Sequence, residues 1–456
     1  METIGWTQTK RGRTGRLQPG WRFAVGTLLL ALTPTMTSPA GADPSHPGAD
    51  VVVTAPGDLD PSFGANGMVT TDFGPGGDGA DAIAIQPDGK IVVAGETANG
   101  AWFGLARYDA SGTLDATFGK AGMVTTDIGP SGAYDIALQA DGKIVAAGGG
   151  RRFALVRYTP DGHLDPTFGG DGVVTTNFHP EYDVAYSMAL QPDGKIVAVG
   201  VSSIEARKYF DDTKIAVARY EADGSLDLSF GGDGKVTTDF TGTYDAAYAV
   251  AVQADGRIVV AGTARAYQTF ALVRYDSDGT RDATFGNAGR VVTNFSQGST
   301  ELLDSIALQA NGKIVAVGTE PSGVGFALAR YDTHGALDRT FGDDGTVLTD
   351  FLTRHDLGYV GAWARGVSIQ TDGKIVVAGG APVGSGGDTE FALARYQPDG
   401  SLDPMFGNGG KVATEWSKDG NDSAFGIAIQ TDGKIVIAGE SSDTPDATFA
   451  LTRYLA

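Results

Sequence analysis

The side chains able to carry acid–base or ligand chemistry are few and scattered along the chain. Asp81, Asp304, Arg365, His179 and His355 are the candidates for a catalytic set at a shared site. Two such groups within about 7 Å of each other would suit a hydrolase or lyase acting on a polysaccharide. A second set stands five residues before each copy of a recurring glutamine: Asp81, Tyr134, Tyr186, Tyr248, Asp304, Arg365 and Phe425. Aromatic faces with a few charges suit a sugar or another small polar ligand. The same residues would also serve to plug a channel.

Other chemistries are excluded or weakly signalled. The chain has no cysteine, which removes disulfides, thiolate catalysis and cysteine-ligated metals. It contains no Gly-x-Ser-x-Gly elbow, His-Glu-x-x-His or phosphate loop. Of the five histidines (His46, His163, His179, His334 and His355), only His179 and His355 fall in the same class of loop, and they belong to different repeats. They read as surface residues. Asp276-Ser-Asp-Gly-Thr-Arg-Asp282 spaces its oxygens a little like a calcium loop. Other copies, such as Thr159-Pro-Asp161, drop the first carboxylate. No cofactor is expected, and calcium is the one cation left open.

Two polar sets recur at fixed positions: Arg107, Arg157, Arg219, Arg274, Arg330, Arg395 and Arg453, and Asp60, Asp115, Asp165, Asp227, Asp282, Asp338 and Asp403. A reaction performed once per molecule does not need seven copies of each group. These read as structural, the aspartate fixing its turn through backbone N–H groups and the arginine finding a charged or carbonyl partner.

The elements that must position all of these are repeated. Gln86-Pro-Asp-Gly-Lys-Ile-Val-Val-Ala-Gly95 returns at Gln139, Gln191, Gln253, Gln309, Gln370 and Gln430. Each copy carries four strand-like runs, exemplified by Ala82–Gln86, Lys90–Gly95, Phe103–Tyr108 and Met123–Asp127. All are short, rich in β-branched or aromatic residues and bounded by Gly, Asp or Pro. Asp-Gly between the first two is a hairpin signal, because glycine takes the positive φ that such a turn requires. Large and small residues alternate in the first run, which marks it as innermost, where neighbouring units crowd together.

Seven four-stranded units spell an all-β, seven-bladed β-propeller of antiparallel blades over residues 58–456. The chain starts out of phase, with a fourth run at Met68–Asp72, and ends on a third run at Phe449–Tyr454. The N-terminal strand can therefore complete the last blade and close the ring, hiding its edges.

Leu-Asp-x-x-Phe-Gly, Gln-x-Asp-Gly-Lys-Ile-Val-x-x-Gly and Phe-Ala-Leu-x-Arg-Tyr, co-occurring seven times, resemble the delta-60 repeat family of bacterial exported β-propeller repeats. The resemblance covers residues 58–456. Departures are small: Arg281 for Leu, Arg257 for Lys, and Trp416 where other copies have Phe or Ile. It implies the fold and export, and it brings no catalytic motif.

Export also has its own signal. Residues 1–42 read as a signal peptide: a basic region from Lys10 to Arg22, an apolar run Phe23–Leu32, and Ala40-Gly-Ala42 before Asp43. Residues 43–57 read as a flexible lead-in. The expected location is extracytoplasmic, secreted or at the cell surface. Net charge is −21, and −25 without residues 1–42. Such a surface repels phosphate backbones, which argues against nucleic acid and anionic membranes as partners. The expected state is a monomer.

The connections between repeats differ from one another. Those joining first to second and third to fourth runs scarcely vary. Those joining second to third and fourth to next first do, and in an up-and-down blade both variable sets lie on one side of the disc. A uniform face opposite a diversified loop face suits a binding module for a glycan, small polar ligand or protein, engaged at the channel mouth. An extracellular polysaccharide-acting hydrolase or lyase at the same mouth is the alternative. A purely structural surface protein is the third reading.

Overall fold

A computed structural model describes residues 54–129, 131–179, 182–203, 213–240, 244–264, 269–295, 301–319, 325–351, 361–382, 388–416, 420–442 and 446–456. The signal-peptide reading and most of the lead-in fall outside these residues, as does His355. Among them, no helix is long and apolar enough to cross a membrane.

The strands form seven four-stranded antiparallel sheets. Blade 1, for example, is Gly79–Ile85, Ile91–Thr97, Trp102–Tyr108 and Met123–Thr126 in that spatial order. The first strands touch one another around the ring and so line the axis. In blade 7, Met68–Thr71 pairs with Thr448–Tyr454, so the N-terminal strand closes the ring. The seal begins slightly before residue 58: Gly57 N–H donates to Leu455 O, and Pro56 O accepts from Gly407 N–H. The last residues of the expected lead-in thus belong to the propeller, because Pro56 stands where the next blade's turn stands in other repeats.

The core is seven slabs between blades. Val92 and Ala94 pack toward blade 2, whereas Ile91 and Val93 pack toward blade 7. The second strand is therefore buried on both faces, which explains its continuous apolar run. Buried hydroxyl pairs cross each slab, such as Thr71–Tyr108 at 2.7 Å and Thr176–Tyr220 at 2.9 Å.

The hairpin face is held by the repeated charges. Arg219 Nε donates to Asp227 Oδ2 at 2.7 Å, its Nη2 to Ser229, its Nη1 to Ser277 O in the next blade, and its guanidinium lies 4.7 Å from the Phe230 centroid. The arginine–aspartate pair occurs in every blade at 2.7–2.9 Å, including Arg453–Asp60 across the closure. Burial would raise these carboxyls. Ser62, Lys434 and Arg453 nevertheless bring Asp60 down to about 2, and Thr167, Arg157 and Lys143 do the same for Asp165. The calcium-like loop carries contacts of the same kind: Asp276 and Asp282 meet Arg257, Asp282 meets Arg274, and Asp278 accepts Thr280 N–H. Among the described residues, no cluster of three or more His, Asp or Glu is set to hold a metal.

Candidate binding site at the channel mouth

The seven residues five before each glutamine share one structural feature. Pairing of the first two strands skips a residue between Ala80 and Ala82, Ala133 and Asp135, Ala185 and Ser187, Ala247 and Ala249, Leu303 and Ser305, Ala364 and Gly366, and Ala424 and Gly426. The skipped residues are Asp81, Tyr134, Tyr186, Tyr248, Asp304, Arg365 and Phe425. Each is the extra residue of a β-bulge, which re-aims its side chain out of the regular alternation. All seven are half-buried.

The bulge explains the last glycine of the repeated motif. A Cβ on Gly95 would lie 1.9 Å from Gly79 O, and one on Gly200 1.9 Å from Val184 O. The equivalent glycines of the other blades show the same approach at 1.8–2.0 Å. Only a residue without a side chain lets the inner strand fold over its neighbour here.

Three adjacent blades build an aromatic wall. The Tyr134 and Tyr186 ring centroids are 5.5 Å apart, and those of Tyr186 and Tyr248 are 5.1 Å apart. Tyr182 and Tyr244 join them over Val184, Val201 and Ala246. Tyr244 and Tyr248 share a hydroxyl contact at 3.1 Å. Burial, then the neighbouring phenols Tyr182, Tyr244 and Tyr134, push Tyr186 well above its usual range, so it stays neutral. Tyr182 and Tyr244 both stand nine before their glutamines, a register that the sequence offered.

The next two blades carry an ion pair. Arg365 Nη1 donates to Asp304 Oδ1 at 2.5 Å. The Asp304 side chain is 9 % exposed and that of Arg365 30 %. Burial raises the Asp304 carboxyl against the pull of Arg365. Of the five catalytic candidates, the structure thus brings Asp304 and Arg365 within the separation that would suit a hydrolase or lyase, but as mutual partners, and an arginine, which stays protonated, does not supply a second acid or base. His179 lies half-buried in the loop before blade 3, where its backbone N–H donates to Asp183 at 3.2 Å.

Sequence reasoning missed two acidic features. Asp135, beside Tyr134, reaches across to blade 3 and accepts from Met188 N–H at 2.7 Å and Ser187 Oγ at 2.9 Å. Burial pushes it up to about 6. A column of buried acids also stands eight before the glutamines: Asp78, Asp183, Asp245, Glu301 and Asp422. Four of them accept the N–H of an aromatic residue after the preceding fourth strand: Phe73, Phe178, Phe240 and Phe295 at 2.6–2.9 Å. They anchor the variable connections. Burial raises Asp78 and Asp183, and burial together with Asp422 raises Glu390 to about 7. Blades 2 and 6 have Ser131 and Ala362 at this position instead.

On the opposite face, a shallow hollow of about 500 Å³ lies between blades 2 and 3, lined by Gln139, Lys143, Arg157 and Asp223 among others. It is the ordinary groove between blades, and Lys143 and Arg157 there are already paired with Asp165.

Solved structures of varied proteins share the fold. A catalytically inactive virginiamycin B lyase from Staphylococcus aureus, solved with quinupristin, is 12 % identical over 84 % of this chain and 98 % of its own, with a TM-score of 0.47. The extracellular domain of a hybrid two-component system from B. thetaiotaomicron is 12 % identical over 85 % of this chain and 40 % of its own, with a TM-score of 0.45. Sqt1 from Chaetomium thermophilum is 15 % identical over 84 % and 97 %, with a TM-score of 0.45. At these identities the likeness is one of fold. No curated protein sequence matches the chain. The family model of a β-propeller domain of unknown function, DUF5122, matches residues 86–118, 139–168, 191–230, 253–285, 309–341, 370–406 and 430–456, and the chain belongs to that family.

Proposed function

We propose that the protein is an exported, non-enzymatic binding module whose ligand sits at the channel mouth on the variable-loop face. The observation that carries this reading is the set of seven bulges. Each turns one side chain out of the strand pattern at the same height, yet the residues delivered differ: three tyrosines, one phenylalanine, two aspartates and one arginine. A purely structural ring would be served by one residue type seven times, as the arginine–aspartate pairs are. The signal-like residues 1–42 and the resemblance to delta-60 repeats support export.

The test is a thermal-shift screen against glycans, divalent cations and peptides. A ligand that binds only the native state raises the melting temperature. Combining Tyr134→Ala, Tyr186→Ala and Arg365→Gln should abolish binding of whatever ligand is found. Undiminished affinity in that variant would sink the site.

A further inference from the structure

We infer that the mouth is built for a neutral saccharide carrying adjacent hydroxyls, held by Asp304 and Arg365 and stacked against the tyrosine wall. This rests on the mouth being a binding site, and it adds the ligand's chemistry.

The observation is how the ion pair is made. Arg365 meets Asp304 end-on, through Nη1 and Oδ1 alone. Among the described residues, nothing bonds Asp304 Oδ2 or Arg365 Nε, although both atoms are shielded from solvent. An arginine–carboxylate pair often closes as a fork, with two parallel bonds, and where the repeated pairs of the hairpin face do not, the second carboxylate oxygen is taken by the turn, as Asp227 Oδ1 is by Ser229. Here one acceptor and one donor are left over, and a buried polar group without a partner costs about 1–3 kcal/mol.

The leftover atoms specify what would satisfy them. Oδ2 needs a donor and Nε–H needs an acceptor, and a pair of hydroxyls supplies both. An ammonium group would gain Asp304 but face Arg365, and a carboxylate would gain Arg365 but face Asp304. The pair is neutral as a unit, so it favours a neutral partner. The chain's overall charge of −21 further disfavours acidic sugars.

The surroundings agree. Tyr248 stands on the blade next to Asp304, and the wall continues through Tyr186 and Tyr134. A phenol ring covers the apolar C–H face of a pyranose, and its hydroxyl meets the polar rim. Arg365 is long and 30 % exposed, so it can turn to present Nε without moving the strand.

Isothermal titration calorimetry on the whole protein tests this. The probes are neutral cello-, manno- and xylo-oligosaccharides, with oligogalacturonate as the acidic counterpart. At least one neutral probe should bind, and oligogalacturonate should bind more weakly than it or not at all. Asp304→Asn, Arg365→Gln and Tyr186→Ala should each weaken the neutral probe roughly tenfold or more, with far-UV circular dichroism unchanged.

The inference is overturned if no neutral probe binds, or if oligogalacturonate binds as tightly. It also falls if Tyr186→Ala abolishes binding while Asp304→Asn and Arg365→Gln do nothing, a result that leaves the mouth standing as the site. If all three variants bind like the parent, the mouth itself is lost as the site.

Discussion

On the hairpin face, Asp165 is bonded by Arg157 and Thr167 and paired with Lys143, and its carboxyl is held at about 2 in spite of burial. On the axis near the loop face, Asp135 is bonded by two amides and a serine hydroxyl, with no cation paired to it among the described residues, and burial lifts it to about 6. The same residue type is a permanent anion on one side of the disc and a group that titrates on the other. The difference follows from repetition. The hairpin face solves one packing problem seven times with one charged set. The loop face relinquishes that solution and spends its polar groups individually.

The comparison can be broken most severely on the hairpin side. Arg219→Ala removes one of the two cations on the buried Asp227 (Lys195 stays, at 2.9 Å), the bond to Ser229, the cover on Phe230 and the tie to Ser277 O in the next blade. It should cost on the order of 4 kcal/mol in urea denaturation and leave ligand affinity unchanged in the protein that remains folded.

Gly200→Ala should come next, at about 3 kcal/mol, because its Cβ would strike the Val184 carbonyl and neither strand can yield. Unlike the arginine change, it should also abolish binding, since it displaces the bulge that presents Tyr186.

Acid and base sensitivity separate the two sides by sign. The folded Asp165 value lies below the ordinary 3.8, so its contribution is present above that pH and is lost as pH falls toward 2. The folded Asp135 value lies above 3.8, so its contribution is fully present below that pH and is lost as pH rises through 6. Urea midpoints against pH should show Asp165→Asn flattening the acid arm below pH 4. Asp135→Asn should flatten the fall between about pH 4 and 6, the window those values define. Slopes of the same sign in both variants would end the comparison.

The smallest effect is expected at Gly194→Ala, in the hairpin of the same blade as Gly200. Its φ is +89°, and an added Cβ would meet only Ala222 at 3.7 Å. Strain alone should cost about 1 kcal/mol, with binding intact.

Much of this was legible in the residues. Seven repeats, Asp-Gly hairpins and the out-of-phase termini specify the propeller and its closure, because strand period and turn chemistry are local properties. The seven bulged positions were legible as a register, five before each glutamine. Their bulges were not, since one inserted residue leaves a short β-branched run looking regular. The only trace was a glycine, Gly95 and its equivalents, which reads as an ordinary strand end. Asp135 sat among small residues such as Ala82 and Ser187, and only the approach of blade 3 makes it a bridge. The ion pair between Asp304 and Arg365 joins residues 61 apart. Their proximity is a product of ring geometry and of the bulges, which no spacing within one repeat encodes.

The most direct test sets the two faces against each other with one ligand. The neutral oligosaccharide that binds best would be titrated into two triple variants. One combines Tyr134→Ala, Tyr186→Ala and Arg365→Gln at the mouth, and the other combines Lys143→Ala, Lys195→Ala and Lys374→Ala on the hairpin face. Loss of binding in the first and parental affinity in the second is the predicted result. Parental affinity in the first, or loss in the second alone, would contradict the account.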